Sequence, residues 1–420
     1  MPSRPAPRPR RLSLPALLSA VFAHWRRERQ TVKQGLIALA ICVAVTVVAG
    51  VVLGAMESLL ERLPGLLVLV PAAIGMRGAV FGALGARLGT GMLTGQYDGA
   101  WSVRSFLGQN VIAAGLLTTI TAGLLALLAR ASGAAFGLET ISLWALLIVS
   151  LLGAVLSSIV VVIGVLLLAR AAASRSWDMD AIGVPIISSL ADISTLPAIV
   201  VVAVLAVGHP VVEAVLGGVL GIAVLAATIA GLRLRLSLAR RIVTESLPVL
   251  CYAAVMGILA GTVLSARLES LVASPALLVA IPPFAATSGA LGGILSARLA
   301  SQLHLGLVVP QRLPDRPALL DGTLLLLLAV IAFVGVGALS EVAAILARLT
   351  SPGLVGMVSI VLLGGLMAAG LLFVVAYYAA TTSYRFGLDP DNYGVPVVTA
   401  TMDFLGILCL VTSLAILGYG

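Results

Sequence analysis

The sequence predicts an all-α polytopic membrane protein of about 11 transmembrane helices, arranged as two parallel five-helix repeats plus one linking helix, with a pseudo-two-fold axis along the membrane normal. Three observations predict it. The 420-residue chain is 60% hydrophobic and only 10% charged, with a mean hydropathy of +1.17. So few charges cannot cover a water-soluble body of this size. Apolar runs of about 20 residues, the length needed to cross a bilayer, recur along the chain. A shift of 211 residues lays one half of the chain on the other.

The apolar runs place spans at 34–56, 64–86, 107–129, 141–169, 181–206, 211–231, 246–266, 276–297, 320–347, 354–383 and 393–418. Eleven is odd, so the termini lie on opposite sides. Arginine and lysine choose the sides, because they collect in cytoplasmic loops. With the N-terminus inside, twenty of the 25 basic residues fall in inside segments, eight of them within residues 1–33. The outside loops hold Arg62, Arg130, Arg267 and Arg348, and Arg77 falls within a span. The expectation is a multi-pass protein of the cell membrane, with a cytoplasmic N-terminus and an extracellular or periplasmic C-terminus.

The 44 glycines suit membrane helices, where they let backbones approach closely. Cys42, Cys251 and Cys409 lie far apart in apolar runs, without metal-ligand spacing, and read as packing residues. The formal charge of +8 sits in short segments between spans. That distribution marks topology and gives no reason to expect a nucleic-acid partner. The apolar stretch Leu12 to Trp25 is short and flanked by arginines on both sides, so it does not read as a cleavable signal.

The repeat has a constant register. Pro71, Gly78, Ala79, Gly82, Ala86, Arg87 and Leu88 fall on Pro282, Gly289, Ala290, Gly293, Ala297, Arg298 and Leu299. DMDAIGVPIISSLAD (Asp178 to Asp192) falls on DPDNYGVPVVTATMD (Asp389 to Asp403). The expected parts are a basic segment 1–33, a first repeat 34–206, a linking helix and basic loop 207–244, and a second repeat 245–420. Five spans reverse the direction of the chain and a sixth restores it, so the run 211–231 makes the repeats parallel.

An ionisable group inside a span is costly and marks a functional site. Asp192 and Asp403 each lie about 12 residues beyond an acidic pair, or about 18 Å along a helix, which places both near mid-depth. Parallel repeats bring the two towards a common axis, where a charge of −2 suits a dication. The plainer alternative has each Asp bonding a neighbouring helix. Pro185 and Pro396, seven residues earlier, free backbone carbonyls that can line a pore. Asp178, Asp180, Asp389 and Asp391 stand at the span entrances, where they concentrate cations or cap helix amides. The glycines around 75–89 and 289–293 read first as close packing and secondly as exposed pore backbone. Arg77 has no equivalent, since Ser288 holds its position, and Glu57 or Asp192 is its expected acidic partner.

On MRGAVFGALGARLG (Met76 to Gly89), TSGALGGILSARLASQLHLG (Thr287 to Gly306), DMDAIGVP and LDPDNYGVPVVTATMD (Leu388 to Asp403), the chain resembles a tandem MgtE-type membrane domain, as in the MgtE-related solute-carrier magnesium transporters. The resemblance covers most of the chain after residue 33, and the last motif is the most specific. It implies transport of divalent cations, Mg²⁺ first among them, with Asp192 and Asp403 as pore carboxylates for a largely hydrated ion. The other members' parallel homodimer becomes a single chain here, which points to a monomer. No organic cofactor and no enzymatic activity are implied, and the lipid bilayer is the expected partner. Bacterial MgtE carries large cytoplasmic sensing domains, whereas the longest soluble stretch here is about 33 residues.

The chemistry agrees. Mg²⁺ gives up water reluctantly and takes one or two carboxylates, and the sequence shows no Cys, His or Met cluster of the kind soft metals prefer. An exchanger driven by Na⁺ or H⁺ stays open beside a passive path, as does a membrane assembly protein without transport. Intramembrane aspartyl proteases also use paired aspartates, but their Tyr-Asp and Gly-x-Gly-Asp patterns are missing at Leu190-Ala191-Asp192 and Thr401-Met402-Asp403.

Overall fold

The computed structural model describes residues 14–97, 102–175, 179–386 and 395–419. Every regular element among the described residues is a helix: α1 (Leu14–Arg27), α2 (Arg29–Ala55), α3 (Glu57–Arg62), α4 (Leu66–Leu93), α5 (Phe106–Phe136), α6 (Leu143–Arg175), α7 (Met179–Ala206), α8 (Pro210–Arg233), α9 (Ser237–Ser265), α10 (Leu268–Ala273), α11 (Ala276–His304), α12 (Arg316–Leu346), α13 (Gly353–Arg385) and α14 (Val395–Ile416). Ten of them are long and apolar enough to cross a membrane; α7, with its apolar stretch Leu190–Ala206, is the eleventh long helix.

The helices outrun the apolar runs at their ends. Ser105 caps α5 by accepting the Gly108 amide at 3.1 Å, and Asp315 caps α12 by accepting the Ala318 amide at 3.2 Å. A polar cap outside the apolar run lets a helix begin before the membrane does. A separate helix, α1, covers much of the stretch from Leu12 to Trp25.

The two repeats exchange their first helices. α2 packs on α11 and α12, while α9 packs on α4 and α5. Only glycine fits where they cross. A Cβ at Gly50 would collide with the Val279 backbone, and one at Gly261 with the Val68 backbone. Gly50 to Gly261 and Val68 to Val279 are each the 211-residue shift, so the crossings are images of one another. Around them the starts of α4 and α11 are enclosed on all sides: Leu66 to Val70 and Ala276 to Ile281 are at most 3% exposed. A helix segment that is apolar all round belongs in a core, and this core joins the repeats.

Within each repeat the second helix packs on the fifth, α4 on α7 and α11 on α14, and α4 also touches α14. The second and fifth helices therefore meet between the repeats. α8 packs on α5, α6 and α9. It turns Val215, Val219, Ile222 and Leu225 outward, each between 58 and 70% exposed, as a lipid-facing helix does.

Candidate functional site

Asp403 of α14 and Asp192 of α7 are half-buried beside fully buried neighbours, Met402 and Ala191. Asp403 lies between the second helices of both repeats. A Cβ placed on Gly75 of α4 would stand 3.2 Å from its Oδ2, and one on Gly289 of α11 would stand 3.9 Å from its Oδ1. The missing side chain of Gly75 thus makes room for a carboxylate that Gly289 also borders. α7, which carries Asp192, packs on α4, the helix whose Gly75 borders Asp403. Cys42 lies on α2, which also packs on α7, the helix of Asp192.

The second repeat adds a hydrogen bond on the helix of its aspartate. The Tyr252 hydroxyl of α9 lies 2.7 Å from Thr401 Oγ1, two residues before Asp403. Thr401 donates its own proton to the Val397 carbonyl at 2.6 Å, so Tyr252 is the donor. The 211-residue images of this pair are Ile41 and Leu190, which cannot form it.

Of the expected entrance residues, Asp178, Asp389 and Asp391 lie outside the described residues. Asp180 falls in the first turn of α7, but its side chain lies outside them too. Pro185 lies inside α7, and Pro396 stands in the first described turn of α14.

Arg77 departs from expectation. Its side chain is 2% exposed, and its Nη1 donates to Ser158 Oγ of α6 at 3.5 Å. Among the described residues neither Glu57 nor Asp192 is within ion-pair distance of it. Glu57 is too far along the axis, because α4 descends about 16 Å from Leu66 to Arg77. The guanidinium turns towards α6.

A second polar layer was not singled out from the sequence. Arg87 Nε donates to Asn110 Oδ1 at 2.8 Å, and in the second repeat Arg298 Nη2 donates to Asp321 Oδ1 at 2.8 Å. These pairs are images under the 211-residue shift. Asp321, 1% exposed, also accepts from Gln302 Nε2 at 2.5 Å and lies 3.1 Å from His24 Nε2. Arg298 Nη1 reaches Glu28 Oε2 at 3.0 Å, and Trp25 Nε1 donates to Thr323 Oγ1 at 3.2 Å. The cluster ties α1 and the start of α2 to the second repeat. The signal was an Asn or Asp inside an apolar run, 23 residues after an arginine, in both copies.

A family model described as MgtE, divalent cation transporter, matches residues 70–202 and again residues 281–413. The second match is displaced from the first by the same 211 residues at both ends (70 to 281, 202 to 413). The comparisons with curated proteins and with solved structures found no match.

Proposed function

The chain belongs to the MgtE family of divalent cation transporters, and from that membership we propose that it carries Mg²⁺ across the cell membrane along a path between its repeats, with Asp192 and Asp403 as the ion-binding carboxylates. The observation that carries this reading is the Asp403 carboxylate set between Gly75 of one repeat and Gly289 of the other. Carboxylates inside a membrane protein are costly without a paired cation, and two of them together offset the charge of one dication. Mg²⁺ suits such a site because it keeps most of its waters and needs few protein ligands. Asp178, Asp180, Asp389 and Asp391 belong to this reading as entrance charges that raise the local cation concentration. The arginine distribution puts the N-terminus in the cytoplasm, and because both halves of the path lie in one polypeptide, a monomer suffices.

Purified protein in liposomes tests the reading by Mg²⁺ flux, comparing wild type with Asp192→Asn, Asp403→Asn and the double substitution. The expected result is strong loss in each single variant and no flux in the double one. Wild-type flux in the double variant would sink the site, and flux of another ion without Mg²⁺ would sink the substrate. Imposed Na⁺ and proton gradients decide the mode: a Mg²⁺ flux that follows either gradient marks an exchanger, and an indifferent flux marks a passive path.

A further inference from the structure

Arg77 is a buried cation on the helix that borders the Asp403 carboxylate, two residues past Gly75. Among the described residues its hydrogen bond is the 3.5 Å contact to Ser158, at the outer limit for such a bond. No described carboxylate is within ion-pair distance. A guanidinium inside a membrane protein normally has a carboxylate or several carbonyls around it, because an unpaired charge there is costly.

The pseudo-symmetry shows what Arg77 stands beside. Its image is Ser288, whose Oγ would be 3.1 Å from a Cβ on Gly406. The image of Gly406 is Thr195, which is buried on α7 and one helical turn from Asp192. Gly289 borders Asp403, and its image under the 211-residue shift is Gly78. Arg77 is the residue before Gly78, with its Cα only about 3.8 Å away. α4, which carries Arg77, packs on α7, which carries Asp192.

We propose that Arg77 is a tethered counter-cation of the ion path: in the ion-free protein its guanidinium leaves Ser158 and pairs with Asp192, and an arriving dication displaces it. This rests on Asp192 as an ion-binding carboxylate. The ion-free path then keeps one carboxylate neutralised, and every dication must compete with a charge built into the chain. If the guanidinium holds Asp192 nine-tenths of the time, the apparent affinity for Mg²⁺ falls about tenfold. Ser288 at the image position leaves Asp403 without such a competitor, so the two carboxylates are unequal partners in binding.

The full chain tests this through two substitutions of opposite sign. Arg77→Gln removes the competitor and lowers the Mg²⁺ concentration for half-maximal flux about tenfold. Ser158→Ala removes the resting place, drives Arg77 towards Asp192 and raises that concentration. The Mg²⁺-induced rise in Tm, measured in detergent without any transport, grows in Arg77→Gln and shrinks in Ser158→Ala by the same linkage. Arg77→Lys keeps the charge and stays within about threefold of wild type. Should Arg77→Gln fail to fold, Ser158→Ala and Arg77→Lys decide the matter by themselves. Unchanged half-saturation and unchanged Tm shift in Ser158→Ala would overturn the proposal, as would an Arg77→Gln that binds Mg²⁺ like wild type. Wild-type flux in Asp192→Asn sinks the ion-path reading itself; loss in Asp192→Asn with no shift in the Arg77 and Ser158 variants sinks only the counter-cation.

Discussion

Replacing Gly75 by alanine puts a methyl carbon 3.2 Å from Asp403 Oδ2, whereas the same change at Gly289 puts one 3.9 Å from Oδ1 of the same carboxylate. The first contact is tighter than ordinary van der Waals distance, so the carboxylate must give by a few tenths of an ångström. The second is an ordinary contact and asks for no movement. Alanine also favours the helix by about 0.5–1 kcal/mol over glycine, which works against a loss of stability from the contact. A shifted carboxylate weakens its hold on the ion by about 0.5–1 kcal/mol, which is roughly two- to fivefold in half-saturating Mg²⁺. Gly289→Ala should stay within about twofold of wild type. Gly75→Val adds two branches into the space of the carboxylate and should weaken binding at least tenfold, about 1.4 kcal/mol or more. Mg²⁺ uptake into liposomes over a range of concentrations reads all three variants, with gel filtration as the check on folding. Wild-type uptake by Gly75→Val at every concentration would refute the idea that the ion meets Asp403 beside this helix.

The exchanged helices and the second polar layer give two more expectations. Gly50→Ala and Gly261→Ala each drive a methyl into a backbone carbonyl region of the other repeat, so each should destabilise by about 1–3 kcal/mol or more. Their losses in thermal unfolding should be alike, and a loss in only one would contradict the reciprocal crossing. Asp321→Ala leaves Arg298 with Glu28 alone and Gln302 without its acceptor, and should cost up to about 3 kcal/mol. Asp321→Asn recreates the Arg87–Asn110 pair of the first repeat and should cost only about 1–2 kcal/mol. Unfolding midpoints that rank asparagine below alanine would rule out this account of the cluster.

Much of the architecture was legible because a duplicated sequence is its own control. Pro71 with Pro282 and Asp192 with Asp403 fix a register that the family matches keep and that most helix ends keep to within one residue. The span limits were less legible, since hydropathy stops at the last apolar residue while Ser105 and Asp315 start their helices further out. The exchange of first helices left a faint trace, as Gly50 and Gly261 also obey the shift. A glycine records that something comes close, but it does not record what, and the partner backbones at Val279 and Val68 carry no polar mark. Arg77 was visible as a charge in a span. Its direction was not, because the residue that decides it, Ser158, lies on another helix and looks in sequence like any small packing residue. Asp321 shows the reverse: a strong signal, an acid in an apolar run, whose partners His24, Glu28 and Gln302 are spread over nearly 300 residues of chain.

The exchange also sets a clock on synthesis. α2 is among the first helices made, yet the helix it crosses is complete only when the ribosome reaches His304. From Ala55 onward, at roughly 5–20 residues per second, that is a wait on the order of 12–50 s with the Gly50 face turned to lipid. α9 has no such wait, because α4 and α5 are already in place when it emerges. Two repeats that are equivalent in space are therefore unequal in time, and the first is finished by the second.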